Sequence, residues 1–205
     1  MTCRIIRRSD LIPFDIRHGE QAMDAFEQLV SDILWMDGYW VRPSFKVQLT
    51  KAQKRRIDRP TSPRWELDIV AYGGGDNVLR VVECKSLLDS RGVTFRGLTD
   101  PGNRPNRYKL FADATLRKQV FKQLARQLAK SGACPPDPTI KLCLACGRIA
   151  SNTDREQLAQ HFAKNGWDLW DETWLRERLK QMSELGYENQ VSAVVAKLLL
   201  RGDAE

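Results

Sequence analysis

The feature that most constrains how this chain folds is the stretch from Arg64 to Ser86, where two apolar-rich segments flank a glycine-rich turn. The segments span residues 65–72 and 78–85, and the turn between them reads GGGDN. Glycine, aspartate and asparagine tolerate the positive φ angles that tight turns require. The pattern therefore predicts a β-hairpin.

Charged side chains interrupt the hairpin at regular places. Side chains alternate between the two faces of a strand, so Glu66 and Asp68 are expected to share one face, and Glu83 and Lys85 to share one face of the next strand. Folding about the glycines places Asp68 beside Glu83, within one residue of register. The opposite, core-facing side is expected to hold Leu67, Ile69, Val82 and Cys84. Unpaired buried carboxylates are costly, so a metal ion or a basic partner is expected beside them.

This cluster has the composition of a phosphodiesterase site. Hydrolysis of a phosphodiester requires an attacking water, neutralisation of the phosphate charge and stabilisation of the leaving oxygen. Carboxylates that hold Mg²⁺ or Mn²⁺ supply the last two and lower the pKa of the water. We predict Asp68, Glu83 and the main-chain carbonyl of Cys84 as metal ligands, and Lys85 as the group that positions or activates the water.

The same residues resemble a known signature. Asp68, a hairpin and then Glu83-Cys84-Lys85 resemble the PD-(D/E)XK motif of the restriction-endonuclease-like nuclease superfamily, with leucine at position 67 where the motif has proline. Phe26-Glu27 followed by Gly38-Tyr39-Trp40-Val41 is similar to the Mrr-like branch. The resemblance covers roughly residues 19–146.

The resemblance implies a fold, an activity and further site residues. The implied fold is α/β, with a restriction-endonuclease-like mixed central sheet flanked by helices. The implied activity is Mg²⁺- or Mn²⁺-dependent cleavage of DNA in host defence, restriction or genome maintenance. Glu27 would assist at the catalytic site, and a later helix would contribute Gln119 or Gln123.

Two basic segments adjoin the hairpin and are candidates for binding nucleic acid. Residues 50–63 are predicted to form a loop, and residues of about 87–112 a basic elaboration over the active face. Long cationic side chains contact phosphates without sequence preference. The net charge of +7, from 33 basic and 26 acidic residues, also favours a polyanionic partner. The candidates are Lys51, Lys54, Arg55, Arg56, Arg59, Arg91, Arg96, Arg104 and Arg107.

Apolar periodicity predicts the remaining elements. Strands are expected over 39–49, 139–146 and 166–170, and helices over 19–36, 112–130, 153–164, 171–182 and 189–200. Antiparallel hairpins followed by βα units predict a mixed sheet with helices on both faces. We divide the chain into a basic N-terminal segment (1–18), a nuclease core (19–150) and a C-terminal α/β extension (151–205) packed on the same domain.

Other features limit the location and the chemistry. No apolar run reaches the ~20 residues of a membrane span, and the charged N-terminus has no hydrophobic signal region behind it. The five cysteines are an odd number, which favours reduced thiols and a cytoplasmic location. Cys143 and Cys146 lack the second ligand pair of a zinc site and are expected in the core.

Alternatives from other classes remain open at this stage. The chain could be a catalytically silent nucleic-acid-binding or scaffolding subunit of a larger complex, or a nuclease that acts on RNA. A homodimer and a larger protein assembly are both compatible with the sequence.

Overall fold

Five strands form one mixed sheet in a computed structural model that describes residues 24–61, 64–100 and 107–201. The order across the sheet follows the chain. The first three strands are antiparallel, and the last two run parallel to the third. The strands are β1 (Trp40–Val47), β2 (Trp65–Gly73), β3 (Val78–Lys85), β4 (Thr139–Cys146) and β5 (Asp168–Trp170).

Helices cover both faces of this sheet, so the predicted mixed α/β architecture is confirmed. The described helices are α1 (Ala25–Met36), α2 (Lys51–Arg56), α3 (Phe95–Thr99), α4 (Lys109–Ala112), α5 (Ala114–Lys130), α6 (Asn152–Asn165), α7 (Glu172–Glu184) and α8 (Val191–Leu200). On one face, apolar side chains of α1, α7 and α8 form a cluster with the sheet, which we call the α1-side core. On the other face, α3 to α6 form the α5-side core.

The strand alternation of β3 assigns its side chains to these two cores. Leu79 and Val81 lie in the α5-side core, whereas Val82 and Cys84 lie in the α1-side core. Because β3 is the middle strand, both of its faces are covered, which explains its nearly continuous apolar sequence. Charged residues at its end are therefore brought to the edge of a buried sheet.

The prediction of a loop over residues 50–63 was wrong, because the segment begins with the helix α2. Its first turn is closed by a capping box. The Thr50 hydroxyl accepts a hydrogen bond from the Gln53 amide at 3.2 Å, and the Gln53 side chain accepts one from the Thr50 amide at 2.9 Å. This pattern satisfies donors at the helix start and is a local helix signal that the cationic run obscured.

A second prediction was wrong, because the side chains of β2 change faces partway along the strand; we call this the face switch. Ile69 lies in the α1-side core, but Leu67 lies in the α5-side core, although the two were expected on one face. The Cα pairing of the strands skips Ser44 and Asp68, and Ser44 has a φ of +48°. On the two sides of this break in the pairing, the alternation of β2 is reversed. Asp68 therefore lies at the point where the ribbon turns over.

The described cysteines occupy the core, as predicted. All four of them, Cys84, Cys134, Cys143 and Cys146, are free and buried. Cys143 and Cys146 lie in opposite cores, as their odd separation along a strand requires. In the described part of the chain, no helix has the length and apolar character needed to cross a membrane. The predicted basic segment of residues 1–18 lies outside the described residues.

Substitutions at Ser44 test the face switch. A β-branched side chain is strained at positive φ, so Ser44→Val is expected to lower the free energy of unfolding by about 1–2 kcal/mol. Ser44→Gly relieves the strain and is expected to leave that free energy unchanged or raised. Urea denaturation measures both, with Thr139→Val as the exposed-strand control. Equal tolerance of valine at positions 44 and 139 would contradict the assigned geometry.

Candidate functional site

The Lys85 ammonium lies at the centre of the predicted site. Its Nζ is 2.6 Å from Glu83 Oε1, 2.8 Å from the Cys84 carbonyl oxygen and 3.7 Å from Asp68 Oδ2. These are the three groups that the sequence predicts as metal ligands. The structure therefore brings Asp68, Glu83 and Lys85 together and adds the Cys84 carbonyl to the same point.

Asp68 is fixed by the end of the strand pairing between β2 and β3. The last Cα pair joins Ile69 to Val82, so Asp68 and Glu83 come one residue beyond it. There the Asp68 carboxylate, rather than a main-chain carbonyl, accepts the hydrogen bond of the Cys84 amide, at 2.7 Å. This bond satisfies a main-chain donor and orients the carboxylate toward the end of β3.

Partial burial shapes the electrostatics of these side chains. Between a fifth and a quarter of each is exposed, with 20% for Lys85, 21% for Glu83 and 24% for Asp68. Desolvation raises the pKa of Glu83, the Asp68 carboxylate raises it further, and the Lys85 ammonium opposes both. Desolvation alone would lower the pKa of Lys85, but the carboxylates of Glu83 and Asp68 outweigh it and raise that pKa above the usual value. Lys85 is therefore protonated at neutral pH and acts as a cation rather than as a general base.

Glu27 approaches this cluster from α1. It lines a cavity of about 150 Å³ together with Cys84 and Lys85. Desolvation, followed by the negative charges of Asp68 and Asp24, raises the pKa of Glu27 to about 7. The structure thus places the predicted assisting carboxylate on the same opening as the lysine.

The donor set determines which ion the residues could hold. Within residues 24–61, 64–100 and 107–201, no three histidine, cysteine, aspartate or glutamate side chains converge as a metal site. Asp68 and Glu83 instead converge with a main-chain carbonyl on one cation, the Lys85 ammonium. Oxygen donors of this kind suit Mg²⁺ and Mn²⁺. The residues present therefore fit such an ion, bound by Asp68, Glu83 and the Cys84 carbonyl.

The first group of basic candidates lies on and after α2. Lys51, Lys54, Arg55 and Arg56 belong to this helix, and the guanidinium of Arg59 lies 5.6 Å from the centre of the Trp65 ring. A cavity of about 480 Å³ beside the helix is lined by Lys46, Lys54, Arg64 and Glu66. Sequence reasoning missed Lys46 and Arg64 as members of this basic surface. In the sequence, the only indication that Arg64 belongs to this surface was its position directly before β2.

A second basic opening adjoins the predicted catalytic cluster of Asp68, Glu83 and Lys85. Arg91, Arg107 and Tyr108 line a cavity of about 490 Å³, and Leu87 lines both this cavity and the one that contains Glu27. Burial raises the pKa of Tyr108, whereas the positive charges of Arg107 and Lys85 oppose that rise. Tyr108 is a further residue that sequence reasoning missed.

The remaining candidates are placed elsewhere. Arg96 is exposed on α3 and pairs with Asp100 at 3.8 Å, and Arg104 lies outside the described residues. Gln119 is buried under α5 with 7% exposure, and neither it nor Gln123 bonds to the catalytic cluster within the described chain. Gln127, one turn after Gln123, instead binds the end of β1. Its side chain donates to the Lys46 carbonyl at 3.3 Å and accepts from the amide of Gln48, just after the strand, at 2.6 Å.

Comparisons with protein-family models, with curated proteins and with solved structures find no match to this chain. Its site is therefore interpreted from its own geometry and chemistry.

The raised pKa of Glu27 predicts that the free energy of unfolding, measured with a metal chelator present, depends on pH. Between pH 4.5 and about 7, the folded protein keeps a proton on Glu27 that the unfolded chain has lost. The contribution of Glu27 to the free energy of unfolding is therefore complete below pH 4.5 and falls as the pH rises to about 7.

Urea denaturation of wild type and Glu27→Gln across this pH range measures the effect. The difference in unfolding free energy, wild type minus variant, is expected to fall as the pH rises. Glu177→Gln, on the exposed side of α7, is the control. If the difference in unfolding free energy between wild type and Glu27→Gln stays constant with pH, the pKa of Glu27 is the same in the folded and unfolded chain, which would contradict the prediction.

Proposed function

We propose that the chain is a metal-dependent nuclease of the PD-(D/E)XK type that hydrolyses phosphodiester bonds in DNA. The convergence of Asp68, Glu83 and the Cys84 carbonyl on the Lys85 ammonium carries this proposal. That set combines a group of oxygens that can bind a cation with the positive charge of the Lys85 ammonium, which would move toward solvent when a metal ion binds. Phosphodiester hydrolysis needs both, because charge accumulates on the phosphate during the reaction.

Each residue has a distinct task in this proposal. A bound Mg²⁺ or Mn²⁺ would supply charge neutralisation and lower the pKa of water. Asp68, Glu83 and the Cys84 carbonyl hold that ion. Lys85 stays protonated, positions the attacking water and stabilises negative charge on the phosphate. Glu27, with a pKa of about 7, accepts a proton from water near neutral pH.

The surroundings of the cluster support a nucleic-acid substrate. The cavity that contains Arg91 and Arg107 meets the catalytic opening at Leu87. Guanidinium groups bind phosphates through paired hydrogen bonds, so these two residues suit the backbone next to the scissile bond. The basic surface of α2 extends the positively charged region, in a chain whose net charge is +7.

The proposal extends to a cellular setting. By analogy with the superfamily that the motif resembles, we place the activity in restriction of foreign DNA, other host defence or genome maintenance. A cytoplasmic location agrees with the free thiols of the four described cysteines. A homodimer or a larger assembly would serve cleavage of both strands.

One observation favours a second candidate function. The Lys85 ammonium already pairs with both carboxylates, so the cluster has a cation of its own without a metal ion. A catalytically silent nucleic-acid-binding or scaffolding subunit could retain this arrangement. RNA is a further alternative substrate, because its backbone presents the same phosphodiester chemistry.

Cleavage assays separate these functions. Supercoiled, linear and single-stranded DNA and single-stranded RNA are incubated with the protein and Mg²⁺ or Mn²⁺. We expect cleavage of DNA that falls on the order of 10²-fold or more in Lys85→Ala and in Asp68→Asn, since each loses a charge at the reacting phosphate. Lys141→Ala, which removes a partly buried lysine paired with Asp168 on another strand, is the matched control.

The outcomes of these assays separate the DNA nuclease, the silent binding subunit and the RNA nuclease. Undiminished cleavage by both site variants would overturn the assigned site. Binding of DNA by wild type without cleavage under any metal condition would favour the silent subunit, and cleavage confined to RNA would change the substrate.

Binding assays test the arginine cavity separately. Arg91→Ala combined with Arg107→Ala is expected to weaken DNA binding at least tenfold and to reduce the slope of log affinity against log salt by roughly 2, one unit per lost phosphate contact. Fluorescence anisotropy measures both quantities. The control is Arg126→Ala with Lys130→Ala at the far end of α5, where a smaller change is expected. Equal losses in both double variants would show that only net charge matters.

A further inference from the structure

The helix α8 turns its small residues toward the protein and its large ones toward solvent. Ala193 and Ala196 are buried in the α1-side core, with 0% and 2% exposure. On the opposite side Val191, Leu198 and Leu199 are exposed by 77%, 78% and 75%. A helix that is apolar on both sides is normally buried on both sides.

Polar contacts hold α8 in this orientation. The Ser192 hydroxyl donates a hydrogen bond to Asp32 of α1 at 2.6 Å. The Lys197 ammonium donates to the carbonyl of Gly186 in the connection from α7. These contacts lie at two turns of the helix, so a rotation that buried the large residues would break both.

The exposed residues form one continuous surface, which we call the α8 stripe. They recur at intervals of three and four residues, as in the contact seam of paired helices. A groove of about 460 Å³ between α7 and α8 continues the apolar surface with Leu179 and Leu200. The members of the stripe are Val191, Val194, Val195, Leu198 and Leu199.

This surface is large for a monomer. The five members of the stripe expose between 44% and 78% of their surfaces. Together they form an apolar patch on the order of several hundred Å², and patches of that size mark interaction sites.

We propose that the α8 stripe is a self-association surface, on which two copies of the chain pack their α8 helices antiparallel about a two-fold axis near Val195. This axis brings Val191 of one copy against Leu198 and Leu199 of the other, so apolar residues meet along the whole seam. The stripe contains no charged residue, so the two seams meet without like-charge repulsion. Arg176 and Lys180 border the groove and stay at the wetted rim of the interface.

A second copy fits this surface better than a polyanion does. Nucleic acid gains little from an uncharged apolar stripe, whereas an isologous pair buries the same stripe twice. The net charge of +7 on each copy is screened beyond about 8 Å at physiological salt and does not prevent contact. Self-association through the α8 stripe does not depend on the proposed nuclease activity.

Mass measurements of the full chain test the interface. Sedimentation equilibrium of wild type is expected to give twice the chain mass of 23.5 kDa. Leu198→Glu places a charge in the seam and is expected to give a monomer of 23.5 kDa with an unchanged circular dichroism spectrum. Leu88→Glu, at a 60% exposed leucine outside α8, is the control and is expected to remain dimeric.

A charge pair tests the antiparallel arrangement. Val191→Lys alone and Leu198→Glu alone are expected to be monomers, and their mixture is expected to form a heterodimer because the two positions meet across the axis. A mixture that stays monomeric would contradict the antiparallel packing.

Three results would overturn the proposal. The first is a wild-type monomer at every protein concentration measured. The second is a dimer that persists in Leu198→Glu, which would place the interface elsewhere. The third is a monomer that binds phosphatidylserine-containing vesicles through α8, which would assign the stripe to a lipid surface.

Discussion

The ion pairs of Lys85 with Glu83 and Asp68 allow two carboxylates to lie together at the end of a buried sheet. Two like charges at this depth would repel each other and lose their hydration. The ammonium, 2.6 Å from one carboxylate and 3.7 Å from the other, attracts both and reduces their repulsion. With two negative charges and one positive, the cluster keeps a net negative charge, which attracts a further cation. The same interaction therefore supports the fold and prepares the site.

The rest of the structure serves to place these groups. The ribbon of β1 and β2 turns over at Ser44 and Asp68, and there Asp68 leaves the strand ladder and takes the Cys84 amide as its partner. The end of β3 pairs with β4 as far as Lys85 on one side, and on the other side the Cys84 amide bonds to the Asp68 carboxylate. α1 then covers one side of this end and brings Glu27 to the opening. The basic groups lie on α2 and around the cavity lined by Arg91 and Arg107, which shares Leu87 with the opening at Glu27.

Local sequence signals predicted the parts of the fold that depend on local geometry. The glycine-rich turn fixed the hairpin, and alternation then placed Asp68 beside Glu83 and Lys85 beside both. The order of hairpins and βα units predicted the mixed sheet. The helix α2 was missed although its capping box is present at Thr50 and Gln53, because the cationic residues that follow were interpreted as a solvated loop.

Features that depend on distant packing were not predictable in this way. The opposite faces of Leu67 and Ile69 coincide with a break in the β1–β2 pairing at Ser44 and Asp68, which the sequence of β2 alone does not show. Tyr108 lines the cavity of Arg91 and Arg107 because the segment before α5 folds against the sheet. Gln127 contacts β1 across 79 residues of sequence, a pairing that no local pattern reveals.

The central claim is that the oxygens around the Lys85 ammonium form a divalent-cation site. Crystals soaked in Mn²⁺ and measured at the manganese absorption edge test it most directly. The account predicts one anomalous peak in contact with Asp68, Glu83 and the Cys84 carbonyl, with the Lys85 ammonium displaced toward solvent. An ammonium that keeps its three oxygen partners in saturating Mn²⁺, with no peak beside them, would contradict the account.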